Sequence, residues 1–399
     1  MNIEPHVEMH NVKKMKTSKY GQAGKMAVIG AFPTSTFKLG VFESMEEAQK
    51  AMLGEYKLPD DTSIENAAKT IVPDDFISFY CIEHCFIKNS ATYGPEDVLF
   101  VNTNYGKSTL VSNSTNEDIA NACILLAEEE FDILTVAENV KLATSQTVEE
   151  VTSTILNPVW KTLKDFNDLQ FLNQKPFGII TGIDFTGADD TILGLFKTLF
   201  KDQGIFKAVS TPVRYIGEEN SLNIAQSGCW HAAFTAGRAV NLSETAKVYE
   251  DILGENTKDL YPTTNTTAGA ITWKKLLDNG FHTTKYKNRR EHTIQCLSNI
   301  TPADYDMKIE RTRNYVLKRL VVADTLGDDN DEYAIEHVDG VFKYEKETAI
   351  ENRLIKDMEY EFEKVDSETV KARVQMAIND IIRVFIIENT LEIATFEEE

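Results

Sequence analysis

Lys25-Met26-Ala27-Val28-Ile29-Gly30 is a short run whose inner positions are all apolar. With no polar residue to turn toward water on either alternate face, it reads as a strand buried on both sides. Downstream, the apolar stretch Phe37-Lys38-Leu39-Gly40-Val41-Phe42 leads to Ser44, whose hydroxyl is placed to cap a helix with Glu47 three residues on. Further strand candidates are 76–80, 98–101, 133–136, 178–183 and 206–209. Between them lie helical patterns at 116–129, at 148–172 with an interruption at Pro158, and at 189–200, where Ile192, Leu193, Phe196 and Leu199 share a face. Short, evenly apolar strands alternating with helices predict an α/β core: a mainly parallel sheet flanked by helices.

The pattern changes after Thr272. Residues 273–277 read as a short helix stopped by Asn279-Gly280, and 281–297 alternate like a hairpin turning near Asn288-Arg289-Arg290. A long helix over 303–320 follows, then the polar linker Gly327-Asp328-Asp329-Asn330-Asp331, an acidic pair of helices and a final strand. The expected organisation is an N-terminal arm at 1–24, an α/β core at 25–260 with a candidate inserted subdomain near 76–176, and a C-terminal core at 261–323. An acidic region at 324–399 follows and ends in a strand arm. The C-terminal portion is thus expected to be α+β, with extended arms at both ends.

A chain of 399 residues, 42% of them hydrophobic, can bury a large core. No apolar run reaches the length of a membrane span, and Met1-Asn2-Ile3-Glu4-Pro5-His6 does not lead a basic segment into an apolar one, so no membrane contact and no secretory leader are expected. Five scattered cysteines (Cys81, Cys85, Cys123, Cys229, Cys296) argue for buried free thiols rather than a disulfide framework. The net charge of -22 is uneven. From Asp324 to Glu399 there are 22 acidic against 8 basic residues, whereas Ala270 to Leu320 carries 11 basic against 5 acidic.

Motifs for chemistry are missing. Gly21-Gln22-Ala23-Gly24-Lys25-Met26 lacks the spacing and the Ser or Thr of a phosphate loop. Cys81, His84 and Cys85 offer soft ligands on neighbouring turns, yet no second cysteine pair completes a zinc set. Asp328, Asn330 and Glu332 imitate a calcium loop until Tyr333 stands where its glycine belongs. No Gly-x-Ser-x-Gly or His-Glu-x-x-His is present, and His231, set among small and aromatic residues, reads as a core group. Lys285, Lys287, Arg289 and Arg290 with Tyr286 form a basic cluster, but the overall negative charge opposes nucleic-acid binding. No cofactor, metal or catalytic residue is expected.

The small-residue helix Gly228-Cys229-Trp230-His231-Ala232-Ala233-Phe234-Thr235-Ala236-Gly237-Arg238-Ala239-Val240 is followed by Asn241-Leu242-Ser243-Glu244-Thr245. Then come Leu277-Asp278-Asn279-Gly280-Phe281-His282-Thr283-Thr284-Lys285-Tyr286-Lys287-Asn288-Arg289 and a helix with Ile309-Glu310-Arg311-Thr312-Arg313-Asn314-Tyr315-Val316. This order, with the opening strand and its Glu46-Glu47-Ala48 helix, resembles the contractile tail sheath proteins of bacteriophages and phage-tail-like particles. The resemblance covers 25–58 and 177–320.

It implies a structural subunit, not an enzyme. Hexameric rings would stack helically around an inner tail tube, alongside baseplate and terminator proteins, in a particle assembled in the bacterial host cytoplasm. Extended arms would link subunits by completing a neighbour's sheet. Candidate arm residues are Val12, Lys13 and Lys14 at one end, and Thr390, Leu391, Glu392, Ile393, Ala394, Thr395 and Phe396 at the other. The terminal strand, followed only by Glu397, Glu398 and Glu399, needs a partner, either a distant part of its own chain or another subunit. Under the resemblance the neighbour is favoured. The candidate tube-facing cations are Lys285, Lys287, Arg289, Arg290, Arg311 and Arg313. Two other readings stand beside this one: a sheath-terminating, collar or baseplate-type component, and an α/β enzyme without a recognisable motif.

Overall fold

A computed structural model describes residues 24–53, 76–87, 94–148, 151–173, 175–185, 187–201, 207–210, 213–215, 228–239, 257–260, 273–281, 283–288, 293–298, 301–302, 304, 307–320, 332–364 and 370–378. The chain opens with β1 (Lys25–Gly30), β2 (Leu39–Phe42), α1 (Met45–Met52), α2 (Ile77–Cys85), β3 (Asp97–Asn102), α3 (Asn116–Leu126), β4 (Ile133–Val136) and β5 (Val140–Lys141). Next come β6 (Ala143–Val148), β7 (Val151–Leu156), α4 (Pro158–Leu172), β8 (Gly178–Asp184), α5 (Asp190–Lys201), β9 (Lys207–Ser210) and β10 (Val213–Tyr215). The remainder comprises α6 (Gly228–Ala239), β11 (Thr257–Leu260), α7 (Trp273–Asp278), β12 (Thr283–Asn288), β13 (Thr293–Ser298), α8 (Met307–Arg319), α9 (Glu332–Glu351), β14 (Ile355–Lys364) and β15 (Val370–Ile378).

The fold is mixed α/β, built on a mainly parallel sheet. Its strands run in the order β2-β3-β1-β4-β8-β5, and β9 also pairs with β8. Only β2 is antiparallel. Because a strand alternates faces, each one feeds two cores. Met26, Val28, Val98, Phe100, Ile133 and Ile180 pack with α1, α2 and α6. Ala27, Ile29, Leu99, Val101, Leu134 and Ile179 pack on the other face with α3, α4 and α5, joined by Leu276 of α7. Both faces are covered, so the strands can be apolar throughout.

Local chemistry sets the helix ends. The Ser44 hydroxyl accepts from the Glu47 backbone N–H as the sequence anticipates, and Thr115 with Asp118 forms a full capping box on α3. Gly280 stops α7 with φ +75, and a Cβ there would stand 2.5 Å from the Pro302 Cα. The small residues of α6 permit a close approach to α2: a Cβ on Gly237 would lie 2.5 Å from the Cys85 carbonyl oxygen.

Four expectations are corrected. Residues 76–80 open a helix rather than a strand; nearly every position of α2 is buried, so no polar face marks its period. The helical reading of 148–172 divides into β7 and α4, because Pro158 takes the first helical position behind the Asn157 cap, where its missing N–H costs nothing. Residues 76–176 are no inserted subdomain: they supply β3 and β4, the strands flanking β1. The acidic helical pair is one helix, α9, followed by the β14–β15 hairpin, in which Ile355, Met358, Tyr360 and Phe362 recur at near-strand spacing.

That helix and hairpin form a third, smaller core with Val316 of α8 and Leu320 just past its end. The Phe342 ring lies 5.1 Å from the Tyr360 and Phe362 rings, edge-on to both. Arg319 grips Glu345 with two hydrogen bonds of 2.6 and 3.0 Å, tying α8 to α9. No described helix is long and apolar enough to cross a membrane.

Candidate functional site

The chain leaves β1 toward β3 on one side of the sheet and then crosses to β4 on the other. Such a reversal opens a crevice at the carboxyl ends of the strands, where open α/β sheets hold ligands. Here the crevice is filled by the chain itself. Glu138, just past β4, accepts from Ala31 N (2.8 Å), Ser114 N (2.6 Å) and Ser114 Oγ (2.5 Å). The backbone N–H groups that an anionic ligand would need are therefore taken by a carboxylate. Burial pushes the Glu138 carboxyl up, and although Ser114 and Ala31 pull it back, the net shift is upward, with Asp118 adding to it.

Two asparagines lock the loops beside it. Asn102 accepts from Phe32 N and Asn104 N, and donates to the carbonyls of Thr34 and Phe37. Asn104 donates to Phe32 O and Val111 O and accepts from Val111 N. Both side chains are buried, so their amides replace water for a backbone without regular structure.

An open groove of about 440 Å³ lies beside the end of β3, lined by Lys38, Asn102, Thr103, Tyr105, Lys107 and Asp118 among others. Its charges are engaged: Lys107 sits 2.8 Å from Asp118, and Lys38 lies over the Tyr105 ring at 5.7 Å. The groove assembles no nucleophile with a base.

The thiols lie deeper. Cys81 Sγ is 3.6 Å from Cys229 Sγ at the α2–α6 contact. Burial pushes Cys81 and Cys85 well up and Cys123 to about 12, leaving all three protonated and weakly nucleophilic at neutral pH. Among the described residues no group of three His, Cys, Asp or Glu side chains is arranged to hold a metal ion.

The basic residues singled out in the sequence part company. Arg311 is 2% exposed; its guanidinium lies 3.3 Å from Asp132 and donates to Ala239 O at 3.4 Å. It is an internal cation and not a surface one, which corrects the tube-facing expectation for this residue. Arg313 pairs at 2.5 Å with Glu310, itself 1% exposed. Lys285 lies opposite Gln295 in the β12–β13 hairpin, with Lys287 at its bulge. Arg289, Arg290, the N-terminal arm residues Val12, Lys13 and Lys14, and Thr390 to Phe396 lie outside the described residues.

Asp132 is the unforeseen hub. Besides Arg311 it meets Lys318 Nζ at 3.1 Å and accepts from Lys25 N at 3.2 Å. Burial alone would raise its carboxyl, but Arg311, Lys318 and the hydrogen bonds hold it at about 2. A charged residue at each end of 133–137, a run apolar but for Thr135, is the one sequence signal that could have found Asp132 and Glu138. No family model matches the chain, and no curated protein matches it.

The remaining candidate is an edge. β14 and β15 form a two-stranded antiparallel sheet of ten and nine residues, and no other strand borders it among the described residues. One face lies on α9; the other carries Glu359, Glu361, Glu363 and Arg373, with Arg373 2.9 Å from both Glu361 and Glu363.

Proposed function

We propose that this chain is a structural subunit of a contractile tail sheath. It polymerises as stacked hexameric rings around an inner tube and shortens to drive that tube through a target envelope. The observation that carries the reading is the β14–β15 sheet, long and open at its borders among the described residues, just ahead of the strand-like Thr390 to Phe396. A strand added to such an edge gains about 1 kcal/mol per backbone hydrogen bond. Leu391, Ile393 and Phe396 would add about 1.5 to 3 kcal/mol each on burial. Subunits tethered in this way can rotate past one another without separating.

The filled crevice agrees with a mechanical role, since the place where an α/β sheet usually holds a ligand is spent on holding loops together. Contraction then needs no cofactor: an extended assembly held in a metastable packing is released to a denser one by a baseplate signal. Of the basic band, Lys285, Lys287, Arg289, Arg290 and the partly exposed Arg313 remain candidates to face the tube.

Electron microscopy of the purified chain tests the reading. Tubes or helical cylinders are expected. Discrete rings would make it a terminator or collar component, and a stable monomer under all conditions would overturn the polymer and reopen the enzyme reading.

A further inference from the structure

The β6–β7 hairpin has an unusual composition for this chain. Neither six-residue strand carries a charged side chain, in a protein that is 26% charged with a net charge of -22. Yet Ser145, Gln146, Thr147, Thr152, Ser153 and Thr154 are exposed, and so is Val148 at 57%. Exposed strand edges are ordinarily guarded by lysine, proline or a bulge, because an unguarded edge pairs with another strand. Neither strand has any of these, although Glu149 and Glu150 join the two in sequence, and the register runs unbroken from Ala143↔Leu156 to Val148↔Val151. β7 is the strand that lies against α5, and no other strand borders β6 among the described residues.

We infer that β6 is a self-association edge, pairing antiparallel with β6 of a second copy of this chain. Two observations name that occupant. First, β6 already pairs with a strand of its own kind: Thr144-Ser145-Gln146-Thr147 faces Thr152-Ser153-Thr154-Ile155, and the hydroxyls of Thr147 and Thr152 meet across the pair at 3.0 Å. The other edge of β6 offers the same hydroxyl-rich chemistry, which a two-fold related copy complements. Second, copies of so acidic a chain repel each other, and an uncharged edge is where they approach at least cost. The β14–β15 hairpin, with its row of glutamates, lacks that property. The inference stands apart from the sheath reading, since it needs neither terminal arm.

Sedimentation of the full chain tests it. The wild-type protein should associate with rising concentration, and Ser145→Lys combined with Thr147→Lys should weaken that association at least about tenfold with the melting temperature unchanged, because both side chains are exposed. Under mild oxidation, Ser145→Cys, Gln146→Cys or Thr147→Cys should give a disulfide-linked dimer, whereas Lys161→Cys, on the exposed face of α4, should not. A wild-type monomer at every concentration, undiminished association of the double lysine variant, or no cross-link from any of the three hairpin cysteines would overturn the inference. Wild-type association and hairpin cross-links without tubes in the electron microscope would count against the sheath reading alone; tubes without any hairpin cross-link would count against this inference alone.

Discussion

The Arg311 guanidinium stands 3.3 Å from the Asp132 carboxylate, binding a helix of the basic band to the start of a central strand. Arg311 is almost wholly buried, so its charge has little water to fall back on. Asp132→Asn should therefore cost about 3 to 5 kcal/mol in urea denaturation at neutral pH, as expected when one partner of a buried pair is removed. In the wild type the Asp132 carboxyl is held at about 2, below its ordinary 3.8. The stability it supplies is present above pH 4 and is lost as pH falls toward 2, by about 2 kcal/mol. An acid-denaturation curve with the same slope in Asp132→Asn would refute this.

Glu138 should behave in the opposite sense. Its carboxyl is raised above the ordinary 4.5, so the term it contributes is most favourable when it is protonated and is lost as pH rises through its folded-state value. Glu138→Gln cannot accept from Ala31 N, Ser114 N and Ser114 Oγ together, because one oxygen becomes a donor. A loss of about 1 to 3 kcal/mol is expected at pH 7. That loss should grow toward pH 4.5, because the wild type gains stability as its carboxyl takes a proton and the Gln variant, which does not titrate, gains none.

Gly237→Ala should force α2 and α6 apart. Its Cβ would press on the backbone oxygen of Cys85, which cannot swing away as a side chain can. We expect a destabilisation of about 1 to 3 kcal/mol by calorimetry. An unchanged melting temperature would show that the helices give way freely.

Phe342→Ala should loosen the C-terminal module and spare the main sheet. The ring joins α9 to Tyr360 and Phe362 in a core separate from the two beside the sheet. A loss of about 3 to 5 kcal/mol is expected. It should appear in hydrogen exchange as reduced protection of 355–378 with 25–30 unaffected.

Removing residues 390–399 should leave a folded monomer that no longer polymerises, read by circular dichroism and electron microscopy. A destabilised monomer would instead assign Thr390 to Phe396 to its own subunit's sheet.

The strands were legible wherever burial on both faces left an apolar run of strand length, as at 25–30, 133–136 and 178–183. Helix starts were legible where a capping side chain stood in place, as at Ser44. The α2 segment misled because burial on nearly all sides erases the period that separates helix from strand. The β14–β15 hairpin misled because its many glutamates favour helices locally, while packing on Phe342 selects the strand. The basic band misled in part, since Arg311 and Lys318 neutralise an acid far away in the chain.

What the sequence determined by itself was the α/β core, because strand and helix periods are local properties of neighbouring residues. It also determined the uneven charge and the lack of a catalytic motif. Only the tertiary structure decided that Glu138 fills the crevice of the sheet, that Asp132 gathers Arg311 and Lys318, and that the β6–β7 and β14–β15 hairpins, like the β10–β11 and β12–β13 pairs, meet no further strand among the described residues. Those relations depend on which distant groups meet once the chain is folded, and spacing along the chain does not encode that meeting.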